Sequence, residues 1–224
     1  EESAPGGAAN VAANLASLGA QVSVAGVVGE DQRGEELLDC LERLGADTSL
    51  TRAVSNRPTT VKTRVFAGGV GTVRQQVLRL DHEPTSKPDP VLLNALAQTV
   101  FEVASDYDAV VLSDYGYGAV DSTLCCRITG APVVVDSRMQ LRQFSGAHTL
   151  KPNLSELEHM AGRDLLTPSE IAEAAEALRA QAQAGAVLVT LGRDGMLLCE
   201  SGSMRAVPVF GDAEIADVTG AGDS

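Results

Sequence analysis

From residue 108 onward the chain repeats one short pattern: an apolar, β-branched run that ends in polar side chains and gives way to a loop or a helix. It is written as Asp108-Ala109-Val110-Val111-Leu112-Ser113-Asp114, again as Pro132-Val133-Val134-Val135-Asp136-Ser137-Arg138, and again as Thr149-Leu150-Lys151-Pro152-Asn153-Leu154-Ser155-Glu156. Runs this short and apolar, alternating with helical segments, specify an α/β fold around a parallel sheet. Ligands of such sheets bind beyond the carboxyl ends of the strands. Asp114 with the following Tyr115-Gly116-Tyr117-Gly118 loop, the Ser137-Arg138 pair, and Asn153 with Glu156 therefore fall where a site is expected.

The remaining segments extend this rhythm. Gly6-Gly7-Ala8-Ala9-Asn10 opens a helix with Val11, Leu15 and Leu18 at helical spacing, closed by Gly19. Residues 22–28 read as a buried strand, Gly29-Glu30-Asp31 as a turn, and the chain to Leu44 as a helix. Residues 47–81 change character to Thr, Val and Arg, with strands expected at 59–67 and 73–80 around Gly68-Gly69-Val70-Gly71. This ribbon concentrates Arg64, Arg74, Gln75, Gln76, Arg79 and Asp81. It reads as a lid over a ligand or as a solvated sheet face. A helix follows over 91–104, and an amphipathic one over 168–184 with Ile171, Ala175 and Leu178 on one face. That helix feeds a strand at 186–191, the Gly192-Arg193-Asp194-Gly195 turn, and further strands through Leu198, Val207 and Ile215. The expected organisation is an α/β core made of 1–46 and 82–224, with 47–81 inserted as a β-ribbon.

Four places carry chemistry. The absence of side chains at Gly6 and Gly7 allows close approach to the backbone, and Asn10 offers a donor and an acceptor suited to a polyol; tight helix–sheet packing accounts for the glycines equally well. Asn153 and Glu156, three apart at a helix start, put an amide and a carboxylate on one face, suited to hydrated Mg²⁺ or to a helix cap with its capping-box acid. Thr190, Gly192 and Gly195 can line a nucleotide phosphate or form an ordinary hairpin turn. Finally, in Asp217-Val218-Thr219-Gly220-Ala221-Gly222-Asp223-Ser224, successive N–H groups of Gly220, Ala221 and Gly222 can converge on an anion, with Asp223 beside it as a general base. A glycine-rich turn ending a strand is the competing account of that stretch.

A formal charge of −13 repels polyanions, which argues against nucleic-acid and anionic-membrane partners and makes any phosphate site a local one. No apolar run reaches the roughly 18 residues of a membrane span, and no signal-peptide pattern opens the chain, so a cytoplasmic protein is expected. Cys40, Cys125, Cys126 and Cys199, like His82, His148 and His159, lack metal-ligand spacing and read as structural.

Gly6-Gly7-Ala8-Ala9-Asn10 with Ala12, Gly19 and Gly29, followed much later by Asp217 to Asp223, resembles the two signatures of the ribokinase-like (PfkB) carbohydrate kinases. The likeness runs through the Asn153–Glu156 and Thr190-Leu191-Gly192 motifs. It implies a three-layer α/β/α sandwich with a small β-strand lid, ATP and Mg²⁺ as cofactors, a monovalent cation as a further candidate, and a homodimer through the lid. It also implies roles. Asp223 deprotonates a sugar hydroxyl while Gly220, Ala221 and Gly222 stabilise the transferring phosphoryl group. Gly6, Gly7 and Asn10 hold the sugar; Asn153 and Glu156 organise Mg²⁺ through water; and Thr190, Gly192 and Gly195 line the nucleotide. Within the family, Gln75-Gln76 with Arg79-Leu80-Asp81, and Leu112-Ser113-Asp114-Tyr115, are similar to the D-glycero-D-manno-heptose 7-phosphate kinases of ADP-heptose biosynthesis. Heptose 7-phosphate is thus the first candidate acceptor, with Gln75, Gln76, Asp114 and Arg138 on the substrate side. Fructose phosphates, ribose, nucleosides and a non-catalytic sugar- or nucleotide-binding relative remain as alternatives. Tyr117 stands where that subgroup commonly has lysine, and Ser137-Arg138 where it commonly has Pro-Lys; either the substrate differs, or Arg138 or Arg74 supplies the positive charge with a different geometry. The family's first strand and its segments after Asp223 have no counterpart, so the chain is expected to be truncated at both ends and weakly active or inactive as it stands.

Overall fold

A computed structural model describes residues 3–68, 75–138 and 140–209. In chain order the elements are α1 (Ala8–Ser17), β1 (Gly26–Gly29), α2 (Gln32–Arg43), β2 (Thr51–Val54), β3 (Val61–Ala67), β4 (Gln75–His82), α3 (Pro90–Val103), β5 (Val110–Asp114), α4 (Leu124–Arg127), β6 (Val133–Ser137), β7 (Thr149–Leu150), α5 (Leu154–Ala161), α6 (Pro168–Gln181), β8 (Ala186–Thr190), β9 (Met196–Glu200) and β10 (Ser203–Val207). One sheet runs in the order β10-β9-β8-β7-β6-β5. Its four central and edge strands β5 to β8 are parallel, and β9 and β10 add antiparallel pairings.

The recurring apolar runs produce this sheet by alternation. In β6, Val133, Val135 and Ser137 are buried while Val134 and Asp136 between them are less so. Val135, Leu150, Val187 and Val189 are 0% exposed and pack with Leu112, Phe144, Leu157, Ala175 and Leu178 in one core. Removing an aliphatic side chain of this size from water contributes about 2 kcal/mol, so stability is concentrated in these central strands. The helices on this core start where the sequence says they should. Thr167 and Glu170 form a capping box with Pro168 in the first turn of α6, and α5 ends on Gly162 at φ 69°. The expected helix over 168–184 stops at Gln181, since Ala182 caps it and Gln183 turns to φ 52°.

A second, smaller core joins α1 to α2 through Ala9, Ala12, Leu41 and Ala46, with Val22, Val24 and Leu37 against it. The strand expected over 22–28 is regular only from Gly26 to Gly29. Ser23 bridges Asp47 and Gly26 pairs Thr51, so the step is three residues on one side (26 − 23) and four on the other (51 − 47), and the extra residue breaks the ladder. Thr51–Val54, inside the stretch assigned to the ribbon, pairs parallel with β1. The ribbon itself is the antiparallel pair β3 and β4, with a register shift between Val65 and Phe66. Every described residue of β4 is exposed, and so is most of β3.

Candidate active site

Asp114, Arg138, Asn153 and Thr190 stand at or just after the carboxyl ends of β5 to β8, with Glu156 in the helix that follows β7. At the end of β5, Asp114 is buried, with 6% exposure. Its Oδ1 accepts from the Gly116 N–H at 2.8 Å and its Oδ2 from the Ser137 hydroxyl at 2.7 Å. Ser137 in turn accepts from the Gln140 N–H at 3.2 Å, and the Arg138 N–H donates to the Asp114 carbonyl at 3.1 Å. The ends of β5 and β6 are thereby tied, with Arg138 exposed at the rim. The sequence places Ser137 at this strand end beside Arg138; the bond of its hydroxyl to Asp114 is what the sequence does not show.

The N-terminal glycines reach the same place. Gly7 adopts φ 55°, a conformation that favours glycine, and a Cβ there would lie 3.2 Å from the Tyr115 ring. The turn is therefore pressed onto the loop that follows Asp114, and Asn10 lies in the first turn of α1 just beyond it.

A second group forms at the ends of β7 and β8. Asn153 Oδ1 accepts from the Glu156 N–H at 2.8 Å, and Glu156 Oε2 accepts from the Asn153 N–H at 2.9 Å, which is a complete capping box. Asn153 also bridges Thr190, and the Thr190 N–H donates to the Pro152 carbonyl at 3.0 Å. Burial raises the Glu156 carboxyl above its ordinary range, with the Asp136 charge adding to it, while the Asn153 N–H, Lys151 and Arg138 act the other way. Asp136 and Lys151 form an ion pair at 3.0 Å, each side chain 17% exposed. These two were not singled out from the sequence, although each stands at a strand end two residues before one that was, Arg138 and Asn153. A carboxyl whose charged form is disfavoured by burial and a like charge is a position that a cation relieves, and hard oxygen donors suit Mg²⁺ bound through water. Among the described residues no cluster of three or more His, Cys, Asp or Glu groups forms a direct metal site.

The outlying candidates separate. Gly192 opens a short 3-10 turn at φ 58° with open space around it. Gly195 is required by packing, because a Cβ would lie 2.2 Å from the Val207 carbonyl oxygen where the neighbouring chain crosses. Gln75 and Gln76 are exposed at the start of β4, paired with Ala67 and Phe66. Gly220, Ala221, Gly222 and Asp223, like Arg74, lie outside the described residues. No described helix is long and apolar enough to cross a membrane.

The full chain, residues 1–224, matches the model of the pfkB family carbohydrate kinases. The bifunctional protein HldE of Pseudomonas aeruginosa (strain LESB58) is 37% identical over 228 residues, covering 100% of this chain and 46% of that protein. HldE of Helicobacter hepaticus (strain ATCC 51449 / 3B1) is 34% identical over 226 residues, covering 98% and 46%. The chain thus spans about half the length of the curated relatives it matches. Among solved structures, Arabidopsis thaliana ribokinase complexed with ribose and ATP aligns at TM-score 0.74 with 22% identity, over 96% of this chain and 70% of that one. Phosphofructokinase-2 from Escherichia coli in complex with substrates and products aligns at 0.72 with 22% identity, over 96% and 70%. The expected ribokinase-like α/β fold is the one observed.

Proposed function

Because this chain belongs to the pfkB family of carbohydrate kinases, we propose that its protein transfers the γ-phosphoryl group of ATP to a hydroxyl of a sugar phosphate, with heptose 7-phosphate the first candidate and heptose 1,7-bisphosphate the product. The observation that carries this reading is the meeting, at the carboxyl ends of parallel strands, of the Gly7 turn with the Asp114 loop on one side and of Asn153 with Thr190 on the other. Glu156 links the two sides, feeling both Arg138 and Asp136. An acceptor and a nucleotide need such adjoining places if one is to receive phosphate from the other.

In this reading Gly6, Gly7 and Asn10 hold the sugar from the α1 side, and Asp114 positions it from the β5 loop. Gln75 and Gln76 approach on the ribbon, for which residues 47–81 are proposed as the lid. Arg138, exposed at the end of β6, pairs with the acceptor's own phosphate. Its planar fork suits that partner. Asp223 accepts the proton of the attacking hydroxyl as the new O–P bond forms and the bond from the γ-phosphorus to its bridging oxygen breaks, releasing ADP. The N–H groups of Gly220, Ala221 and Gly222 bind the oxygens of the group in transfer. Asn153 and Glu156 would hold Mg²⁺ through its waters, and the ion would neutralise phosphate charge. Thr190 and Gly192 contact the nucleotide. The exposed Val65, Phe66, Val77, Leu78 and Leu80 on β3 and β4 support the ribbon as the contact between two copies, and use of ATP is in keeping with a cytoplasmic enzyme.

The test uses the full-length protein with ATP, Mg²⁺ and a panel of heptose 7-phosphate, fructose phosphates, ribose and nucleosides, with products read by mass spectrometry. Phosphorylation of heptose 7-phosphate alone is expected, and Asp223→Asn should abolish it while sugar binding persists. Turnover by Asp223→Asn would remove the base assignment. Saturable binding with no ADP release from any acceptor would make the protein a non-catalytic relative.

A further inference from the structure

The loop after β5 is fastened to the ribbon from below. Arg57 stands between β2 and β3, where the chain enters the ribbon, and is only 8% exposed. One guanidinium nitrogen donates to the carbonyl of Ser86, where the chain leaves the ribbon, and another donates to the carbonyl of Tyr117 at 3.0 Å. Those partners lie 29 and 60 residues away in sequence. Both are neutral carbonyls, so burial of the cation is offset by hydrogen bonds alone. Burial accordingly lowers the guanidinium from its ordinary range, without discharging it.

A second fastening lies beside the first. The Tyr117 hydroxyl donates to Glu83, which also pairs with Lys62 of β3. Lys62 bonds Asp81 at 3.3 Å and sits 5.8 Å from the centre of the Tyr117 ring. Gly118, at φ 80°, lies under the Lys87 stem, where a Cβ would be 2.8 Å from Cγ. The other end of the same loop, Tyr115, rests on Gly7.

We propose that Arg57 is a positioning residue that joins both feet of the β3–β4 ribbon to the Tyr115–Tyr117 loop, so that ribbon and loop approach the acceptor as one body. The inference rests on the kinase reading for what the body closes upon, and on the Arg57 contacts for its existence. A planar fork reaches two carbonyls of different segments at once. A lysine ammonium on a flexible stem does not hold that geometry.

The experiment compares the full-length wild type with Arg57→Lys and, as a milder second variant, Tyr117→Phe, by hydrogen-exchange mass spectrometry and by steady-state kinetics. In Arg57→Lys the amides of 83–87 and 115–118 should exchange faster together, by about tenfold, the effect of one charge-assisted hydrogen bond. Those of β5 to β8 should be unchanged. Tyr117→Phe should move the same two segments by a smaller factor. The KM for the acceptor should rise by about tenfold in Arg57→Lys, with the KM for ATP held within about twofold, since the nucleotide side carries no Arg57 contact. Faster exchange in only one segment, in neither, or equally across β5 to β8 overturns the proposal, and so does an equal rise in both KM values. If the wild type phosphorylates nothing, the kinase reading fails, while the exchange arm still decides whether Arg57 joins the two segments.

Discussion

At Glu156 one carboxylate is claimed by two accounts, and the claims separate on a single substitution. Oε2 accepts the Asn153 N–H and closes the box at the start of α5. A glutamine keeps a carbonyl oxygen for that bond and removes the charge. Burial, followed by the Asp136 charge, raises the carboxyl above its ordinary value. A raised acid contributes stability below its unfolded pKa, near 4.5, and that contribution is lost as pH rises through the folded value. At neutral pH the ionised form is therefore a cost, and Glu156→Gln is expected to leave the thermal midpoint unchanged or higher. Its phosphoryl transfer should fall by about 10–100-fold, as for a group that orders a metal's surroundings. Scanning calorimetry and turnover on the same preparation check both halves. Full turnover would leave Glu156 as a cap and nothing more. The sequence spacing offered both accounts, because three residues at a helix start look the same in either. What it could not show is the approach of Asp136 and Arg138 from a different strand, which is a property of the sheet order.

Elements built on uninterrupted local pattern were legible: the strands β5, β6 and β8 and the helices α2, α3 and α6 stand within a few residues of where alternation and caps put them. The first strand and β2 were not, because their pairing depends on a one-residue mismatch between segments 24 and 25 positions apart, Ser23 with Asp47 and Gly26 with Thr51. The joint that holds this corner is Asp31, the cap of α2. Its Oδ1 accepts from the Gly34 N–H at 2.8 Å and its Oδ2 from the Thr59 N–H at 2.8 Å, while the Thr59 hydroxyl accepts from the Gly29 N–H at 2.9 Å. An asparagine has one acceptor oxygen for two donors. Asp31→Asn is therefore expected to destabilise the protein by about 1–2 kcal/mol in urea denaturation. The Asp31 carboxyl is held below its ordinary value: burial opposes this, but the hydrogen bonds from Thr59 and Gly34 prevail. The sign follows. Its contribution is present above the unfolded value of 3.8 and is lost as pH falls through the lower folded one. The gap between wild type and Asp31→Asn should thus be constant near neutrality and close only below about pH 4. A gap that persists in stronger acid would assign the effect to packing instead of charge.

Among the described residues the molecule holds two apolar cores of unequal size. The larger one includes Val135, Leu150, Val187 and Val189 at full burial, whereas the one between α1 and α2 rests on Ala9, Ala12, Leu41 and Ala46. Three alanines bury little area, so the N-terminal unit is expected to open more readily than the main sheet. Among the described residues its ties to the main sheet include Tyr107 to Ser23 at 2.7 Å, Arg57 to Tyr117, and Gly7 on Tyr115. The proposed sugar site lies across the last of these ties, between Gly6, Gly7 and Asn10 of one unit and the Asp114 loop of the other. A ligand there binds only when the two are docked, and its binding energy adds to the opening energy of the weaker unit. Without acceptor, the amides of α1 and α2 should exchange faster than those of β6 and β8. With heptose 7-phosphate at about 100 times its dissociation constant, linkage adds about 2.7 kcal/mol, a slowing of about 100-fold. That slowing should appear in α1 and α2, and in β6 and β8 for those amides that exchange only by global unfolding, which also empties the site. Saturable binding with no change in α1 would move the sugar away from the Gly6-Gly7 turn.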